Sequence, residues 1–80
     1  NNDAALQEIR VIDQAEHYLV ISKNEKILEL YLSNALGNFN KKYTPKNKSI
    51  LIPKSELPLP GVYFIKGKTE TRWFEEKIIK

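Results

Sequence analysis

The residues best equipped for catalysis are the single histidine, His17, and the carboxylate beside it, Glu16. Together with a serine they are the residue types that hydrolases use to activate a nucleophile. The serines of the chain are Ser22, Ser33, Ser49 and Ser55. None of them lies in a nucleophile elbow, and the chain has no glycine-rich phosphate loop. A half-exposed histidine at the start of a strand is the better explanation of His17, so we expect no enzymatic activity.

Paired carboxylates and metal sites are also poorly supported. Glu75 and Glu76 are adjacent, so in a strand their side chains point to opposite faces and cannot act on one substrate. The chain has no cysteine, which excludes a disulfide framework, a thiolate zinc site and a cysteine nucleophile. No spacing of the histidine and the carboxylates matches a metal site. We therefore expect no catalytic residue, no metal and no cofactor.

Aromatic and basic residues are interleaved in the last quarter of the chain. They are Tyr63, Phe64, Lys66, Lys68, Arg72, Trp73, Phe74 and Lys77. Such a pattern can form a stacking platform for single-stranded nucleic acid. However, residues 62–65 form a continuous apolar run, typical of a strand covered on both faces, and a small domain needs large aromatics in its core. We expect Tyr63 and Phe64 to be core residues, whereas one of Trp73 and Phe74 must be partly exposed.

The net charge of +3 is unevenly distributed along the sequence. Residues 1–40 contain three basic and six acidic residues, whereas residues 41–80 contain ten basic and four acidic residues. The second half can therefore favour an anionic partner such as nucleic acid, lipopolysaccharide or an acidic protein surface. Scattered, solvated lysines are the simpler explanation of the same excess.

Length and composition indicate one small domain. Eighty residues suffice for a single hydrophobic core, and 41% hydrophobic with 29% charged residues is ordinary for a globular domain. No apolar run approaches the roughly 20 residues that a membrane-spanning helix needs. Because the sequence begins with Asn1, we expect a piece of a longer protein, in which residues 1–5 are a linker remnant and residues 6–80 are the domain.

The elements that position these residues are expected to be strands. Short alternating or continuous apolar stretches are broken by turn residues about every 8–12 positions. The predicted strands are residues 6–12, 17–22, 26–34, 38–44, 48–52, 62–66 and 72–79. In the third strand, Leu28, Leu30 and Leu32 are expected to share one face, opposite Glu29 and Ser33. A helix is arguable only at residues 3–9, or as a short turn at residues 55–57.

The breaks between the strands have physical causes. In the loop of residues 34–38, Gly37 can adopt the left-handed conformation that a bulged turn requires. Three prolines between residues 53 and 60 exclude a helix interior or a central strand, so that segment must be a connection. Residues 67–71 form the last loop. Seven short strands predict an all-β, immunoglobulin-like sandwich, with an open oligonucleotide-binding barrel as the main competitor.

Four segments of the chain resemble a known family, in matching order. They are IRVIDQAEHYLVIS (residues 9–22), ILELYLSNALGNFNKKY (27–43), LPLPGVYFIK (57–66) and EEKIIK (75–80). A leucine–proline stretch leads into Gly-x-Tyr and an apolar strand, and a basic-apolar strand follows. This pattern is similar to the C-terminal sorting domain of the type IX (Por) secretion system of Gram-negative bacteria, whose strand–Asn-x-x-Gly–strand hairpin the second segment also resembles.

The resemblance implies a fold and a function. In that family a seven-stranded sandwich is recognised by the outer-membrane translocon, and a sortase-like peptidase usually removes it while the cargo is attached to anionic lipopolysaccharide. Such a protein is expected to cross the periplasm and the outer membrane to the cell surface, with cleavage at or before residues 1–5. The recognition residues implied by position are Leu36, Gly37, Pro58, Pro60, Gly61, Val62, Tyr63, Phe64, Lys77, Ile78, Ile79 and Lys80.

The predicted final strand suits this role, and other functions are expected alternatives. The final strand is expected to be an edge that a receptor can extend through its backbone, with Lys80 free to be bound; the same edge can also form a dimer. The main alternative is an accessory sandwich that binds carbohydrate or protein, and an exposed Trp73 near Tyr31 or Tyr43 would favour a carbohydrate platform. Binding of single-stranded nucleic acid is less favoured, and no nucleic-acid partner is expected.

Overall fold

The structure, a computed structural model, describes residues 8–80. These residues form seven strands, paired only in antiparallel fashion, and one 3-10 helical turn. The strands are β1 (Ile9–Asp13), β2 (His17–Ser22), β3 (Ile27–Asn34), β4 (Asn40–Tyr43), β5 (Ser49–Pro53), β6 (Val62–Thr69) and β7 (Trp73–Ile79), and the 3-10 turn is Lys54–Glu56.

Two sheets form the sandwich, with strand orders β1-β2-β5 and β4-β3-β6-β7. The predicted all-β sandwich of seven antiparallel strands is therefore confirmed. In immunoglobulin lettering the sheets correspond to A-B-E and C′-C-F-G, because β4 pairs with β3 instead of joining the three-stranded sheet. The chain changes sheets after β2, after β4 and after β5, so each sheet is assembled from segments distant in sequence.

The core lies between the two sheets and is filled by alternate residues of the strands. Its buried hydrophobic residues are Ile9, Tyr18, Val20, Ile27, Leu30, Leu32, Ile52, Leu57, Tyr63, Ile65 and Ile78. The two tyrosines each place a hydroxyl where it finds an acceptor: Tyr18 donates to the carbonyl of Ile79 (2.8 Å), and Tyr63 donates to the carbonyl of Leu59 (2.6 Å). A large aromatic can therefore fill the core without leaving a polar atom unsatisfied.

Strand β3 contains an irregularity that its sequence pattern does not indicate. Its pairing with β6 shifts register between Ile27 and Glu29, as a β-bulge does. Ile27 therefore takes the core position, and Leu28 is only half-buried. The prediction that Leu28 shares a face with Leu30 and Leu32 is wrong, because the extra residue interrupts the alternation.

Strand β6 is longer than predicted. It continues to Thr69, and a hydrogen bond from the Thr69 N–H to the Arg72 carbonyl (2.8 Å) closes a tight turn, so most of the predicted loop at residues 67–71 is wrong. Gly67 is part of the strand and lies against the ring of Phe74. A Cβ atom at Gly67 would lie 2.3 Å from Cζ of Phe74, so the absent side chain makes room for that ring.

The aromatic residues divide between the two sides of the sheet. Tyr63 is buried as predicted, but Phe64 is half-buried on the outer face, because it lies in the same alternating row as the exposed Lys66. The prediction that Phe64 is a core residue is therefore wrong. Of the pair in β7, Trp73 is the exposed member and Phe74 packs against the core.

The remaining boundaries differ by one or two residues. The start of the first predicted strand, the linker at residues 1–5 and most of the alternative helix at residues 3–9 lie outside the described residues. Pro53 ends β5, where an edge strand tolerates it. The predicted turn near residues 55–57 is the 3-10 turn, and the predicted left-handed Gly37 is confirmed by its φ of 78°.

Candidate functional site

Most of the recognition residues implied by the resemblance lie at one end of the sandwich, which we call the proline end. It combines the β3–β4 loop, the segment that leads into β6, and the end of β7. Its residues are Leu36, Gly37, Leu57, Pro58, Leu59, Pro60, Gly61, Val62, Tyr63, Ile79 and Lys80. A pocket of about 150 Å³ at this end is lined by residues 34–36 and 59–63, so the first two segments are in contact.

Main-chain hydrogen bonds hold the three segments together. The Ala35 N–H donates to the Val62 carbonyl (3.1 Å), which joins the β3–β4 loop to the start of β6. Gly61 and Lys80 exchange two main-chain bonds of 2.9 and 3.3 Å, which join the same segment to the end of β7. Gly61 has a φ of 142°, a conformation that other residues rarely adopt, so a glycine is needed at this junction.

Side chains anchor the proline-rich segment to the sandwich. Leu57 is fully buried and fills the core at this end. The hydroxyl of Tyr63 accepts a bond from the Leu59 N–H (3.2 Å) and donates to the Leu59 carbonyl (2.6 Å). Nζ of Lys80 donates to the Leu57 carbonyl (2.5 Å). The expectation that Lys80 is free is therefore wrong for its side chain, because the loop carbonyl provides an acceptor.

The proline end exposes large apolar side chains. Leu36 is 82% exposed, Leu59 67% and Ile79 63%. Among the implied recognition residues, Tyr63 and Ile78 are buried and belong to the core, whereas Val62 and Phe64 are half-buried. The exposed ones are Leu36, Gly37, Pro58, Pro60, Gly61, Lys77, Ile79 and Lys80.

Strand β7 is an edge of the four-stranded sheet, as predicted. Main-chain hydrogen bonds join its flanking residues to the partner strand in the pairs Gly61–Lys80 and Thr69–Arg72. Because such pairs alternate in an antiparallel ladder, the N–H and C=O groups of residues 73, 75 and 77 point away from β6. The carbonyl of Ile79 lies in the same row but accepts the Tyr18 hydroxyl. Strand addition is therefore open along residues 73–77.

The outer face of the four-stranded sheet forms a second surface, which we call the aromatic face. Its residues are Glu29, Tyr31, Lys42, Lys66, Lys68, Trp73 and Glu75. The rings of Tyr31 and Trp73 stack with centroids 6.5 Å apart and planes inclined by 26°. Nζ of Lys42 lies 5.6 Å from the Tyr31 centroid, and those of Lys66 and Lys68 lie 5.6 and 5.7 Å from the Trp73 centroid.

Part of this aromatic face is predicted by the sequence. The exposed Trp73 beside Tyr31 is the arrangement that would favour a carbohydrate platform. Lys42 was missed, although its place follows from the β3–β4 hairpin, in which it lies opposite Tyr31. The outward direction of Tyr31 is indicated by the sequence, because Tyr31 alternates with the apolar Leu30 and Leu32. The residue opposite it in the hairpin must lie on the same outer face.

The opposite end of the sandwich, which we call the carboxylate end, is polar. Its residues are Glu8, Ser22, Asn24, Glu25, Lys26, Glu70 and Thr71. Carboxylates there accept hydrogen bonds from the main-chain N–H groups of residues 24, 25, 26 and 71. The N–H of Asn24 lowers the pKa of Glu8, and the hydroxyl of Thr71 lowers the pKa of Glu25, since these bonds favour the charged carboxylate.

A cluster of three ionisable side chains joins the edge strand β4 to the 3-10 turn. The hydroxyl of Tyr43 donates to Glu56, and Nζ of Lys41 lies 3.0 Å from the same carboxylate. Burial, helped by this bond, raises the pKa of Tyr43. The tyrosine hydroxyl and the lysine lower the pKa of Glu56. These contacts hold β4 against the 3-10 turn.

Within residues 8–80, the residue types considered for catalysis and metal binding are not brought together. His17 lies opposite Pro53 in the outer row of β2, and none of the hydrogen bonds in residues 8–80 joins its side chain to a serine or a carboxylate. No three side chains of histidine, aspartate or glutamate converge on a point where a metal ion could bind within that range. Within the same range, no helix is long and apolar enough to span a membrane.

Comparisons of the chain with protein-family models, with curated proteins and with solved structures found no match. The resemblance to the sorting-domain family therefore stays a prediction that rests on the residues themselves.

Proposed function

We propose that this chain is a sorting domain of the type IX secretion system, which directs an attached protein across the outer membrane to the cell surface. The observation that supports the proposal is the convergence of three segments at the proline end. These are the β3–β4 loop, the leucine–proline segment and the end of β7. A receptor can contact all three at once only when they are adjacent in the folded domain.

The chemistry of the proline end suits a protein partner. Leu36, Leu59 and Ile79 are apolar and exposed, and apolar side chains that become buried in a partner supply most of the energy of such contacts. Hydrogen bonds within the domain already fix the main chain of the leucine–proline segment. Little conformational entropy is therefore lost on binding, which favours affinity.

The edge of β7 offers a second contact to the same partner. The main-chain groups of residues 73–77 point away from the sheet, so a receptor strand can pair with them by β-augmentation. In this role the translocon binds first, and the sortase-like peptidase then cleaves at or before residues 1–5 and attaches the cargo to lipopolysaccharide.

The test is surface display of a reporter protein fused ahead of residues 1–80, in a bacterium that has this secretion route. A double variant, Leu36→Ser with Leu59→Ser, removes two exposed apolar groups without entering the core. We expect it to abolish display while its thermal unfolding stays close to that of the unmodified domain. Display equal to that of the unmodified fusion would contradict the proposal.

The matched control is Leu51→Ser. Leu51 is also a large exposed leucine, 52% accessible, but it lies on the outer face of the three-stranded sheet. We expect normal display of this variant. Surface display is also measured for a variant that lacks residues 77–80. Because Ile78 is a core residue, the folding of this variant must be measured as well.

A further inference from the structure

The aromatic face carries an exposed indole that the core does not require. Trp73 is 51% exposed, whereas its neighbour Phe74 supplies the aromatic ring that packs inward against Gly67. The same outer row of β7 holds Glu75, and the outer row of β6 holds Lys66 and Lys68. The sheet thus holds the ring at a fixed place on an open face that is lined by charged groups.

The rings and the lysines of this face form one unit. In the sheet Lys66 lies opposite Tyr31 and Lys68 lies opposite Trp73, and their ammonium groups lie 5.6 and 5.7 Å from the Trp73 centroid. A cation near a ring face is attracted by the negative charge of that face. This face is therefore complementary to a ligand with two features. An anionic group can pair with the lysines, and a weakly positive C–H face can pack on the rings.

The charges of the face favour a saccharide over a nucleic acid. Glu29 accepts the Tyr31 hydroxyl (2.8 Å), and Glu75 lies opposite Lys66, so carboxylates are mixed with the lysines. A single strand of nucleic acid carries a negative phosphate at every nucleotide, and two carboxylates would repel it. Saccharide hydroxyls instead donate hydrogen bonds to carboxylates, and sparse uronate groups can pair with the lysines.

We propose that the aromatic face binds an acidic polysaccharide. Trp73 and Tyr31 stack on the C–H faces of successive sugar rings, and Lys42, Lys66 and Lys68 bind the uronate carboxylates. This function uses side chains on the outer face of the sheet, whereas the sorting role uses the proline end and the main-chain edge of β7.

The test is titration of the 80-residue chain with a hyaluronan oligosaccharide, in which every second sugar is a uronate, followed by the fluorescence of Trp73. Trp73 is the only tryptophan, so the signal reports directly on the proposed site. We expect a saturable change that weakens as salt is raised. Absence of a fluorescence change and of binding by calorimetry would overturn the proposal.

Variants separate the contributions of rings and lysines. Trp73→Ala and the double variant Lys66→Ala with Lys68→Ala should each weaken binding about tenfold or more by calorimetry. Lys48→Ala, an exposed lysine distant from these rings in the sheet order, is the matched control and should bind normally. Thermal unfolding shows whether each variant is folded. If the folded ring and lysine variants bind as tightly as the unmodified chain, the proposed site is wrong.

Two further probes test the class of ligand. A neutral dextran oligomer should bind much more weakly than the hyaluronan oligosaccharide, and equal binding would overturn the role of the lysines. A single-stranded oligonucleotide should also bind more weakly at the same salt concentration. Tighter binding of the oligonucleotide, with a steeper dependence on salt, would overturn the assignment to saccharides in favour of nucleic acid.

Discussion

The loops at the two ends of the sandwich are held in place by different kinds of contact. At the carboxylate end, glutamate side chains accept hydrogen bonds from four main-chain N–H groups of the connecting loops. At the proline end, main-chain pairing, the buried Leu57 and the Tyr63 hydroxyl hold the loops instead. The first end is held by ionised surface groups, and the second by core residues that extend into a loop.

This difference indicates which end is suited to a protein partner. At the carboxylate end the loop N–H groups are already bonded. Their acceptors are hydrated, charged carboxylates, which are costly to bury in an interface. The proline end presents Leu36, Leu59 and Ile79 on a backbone that is already fixed. Variants that act on one end alone can therefore test whether the two are independent, and the expected effects differ in size.

The largest effect is expected from Leu57→Ala, which acts on the proline end. Leu57 is fully buried, and removal of a buried leucine side chain typically lowers the free energy of unfolding by about 2–5 kcal/mol. The measurement is urea unfolding followed by circular dichroism. Leu59→Ala is the control, because Leu59 is 67% exposed, and a change below about 0.5 kcal/mol is expected there. Equal losses in both variants would show that the segment is not anchored by Leu57.

A smaller loss is expected from Gly67→Ala, in the half of β6 nearer the carboxylate end. The added methyl group must displace the ring of Phe74, since their atoms would otherwise lie 2.3 Å apart. Overpacking of this kind costs about 1–3 kcal/mol. A second change, Phe74→Leu, should restore part of the stability in the Gly67→Ala background but lower it in the unmodified chain. Additive losses in the double variant would contradict the contact.

A still smaller loss is expected from Tyr63→Phe, at the proline end. The change removes a hydroxyl that bonds both main-chain groups of Leu59. Because Leu59 lies at the surface, water can replace part of this bonding, and a loss of about 0.5–1.5 kcal/mol in total is expected. Tyr31→Phe is the matched control: its hydroxyl bonds the side chain of Glu29 on the outer face, so its loss should be smaller. Faster amide exchange at Leu59 in Tyr63→Phe alone would show that the loop has lost its anchor.

Alternating hydrophobicity was enough to predict the sandwich, because the spacing of turn residues separates the strands. It did not predict the bulge at Ile27, which depends on pairing with β6, a strand more than thirty residues later in the chain. Nor did it show that Gly67 continues β6, because a glycine indicates a turn until the Phe74 ring is known to cover it. The aromatic face was partly predictable, since Trp73 and Phe74 had to lie on opposite faces. The anchoring of Lys80 was not, because its acceptor is a main-chain carbonyl of another segment.

The smallest effect is expected from acid, and it should be local to the carboxylate end at first. Glu8 and Glu25 have pKa values below the ordinary 4.5, so they bind fewer protons when folded than when unfolded at mildly acidic pH. Their contribution to stability is present above pH 4.5 and is lost as the pH falls through the lowered values. Because both carboxylates are exposed, the loss should be modest.

Nuclear magnetic resonance can compare the two ends in one acid titration. The amide protons of Asn24 and Thr71, which donate to Glu8 and Glu25, should shift with midpoints below pH 4.5. The amide of Leu59 donates to the Tyr63 hydroxyl and not to a carboxylate, so it should not shift with them. Glu8→Gln should remove the shift at Asn24 and leave that at Thr71. A shift of the Leu59 amide with the same midpoint would mean that the ends are coupled through the sandwich, and the independence inferred from their different bonds would be wrong.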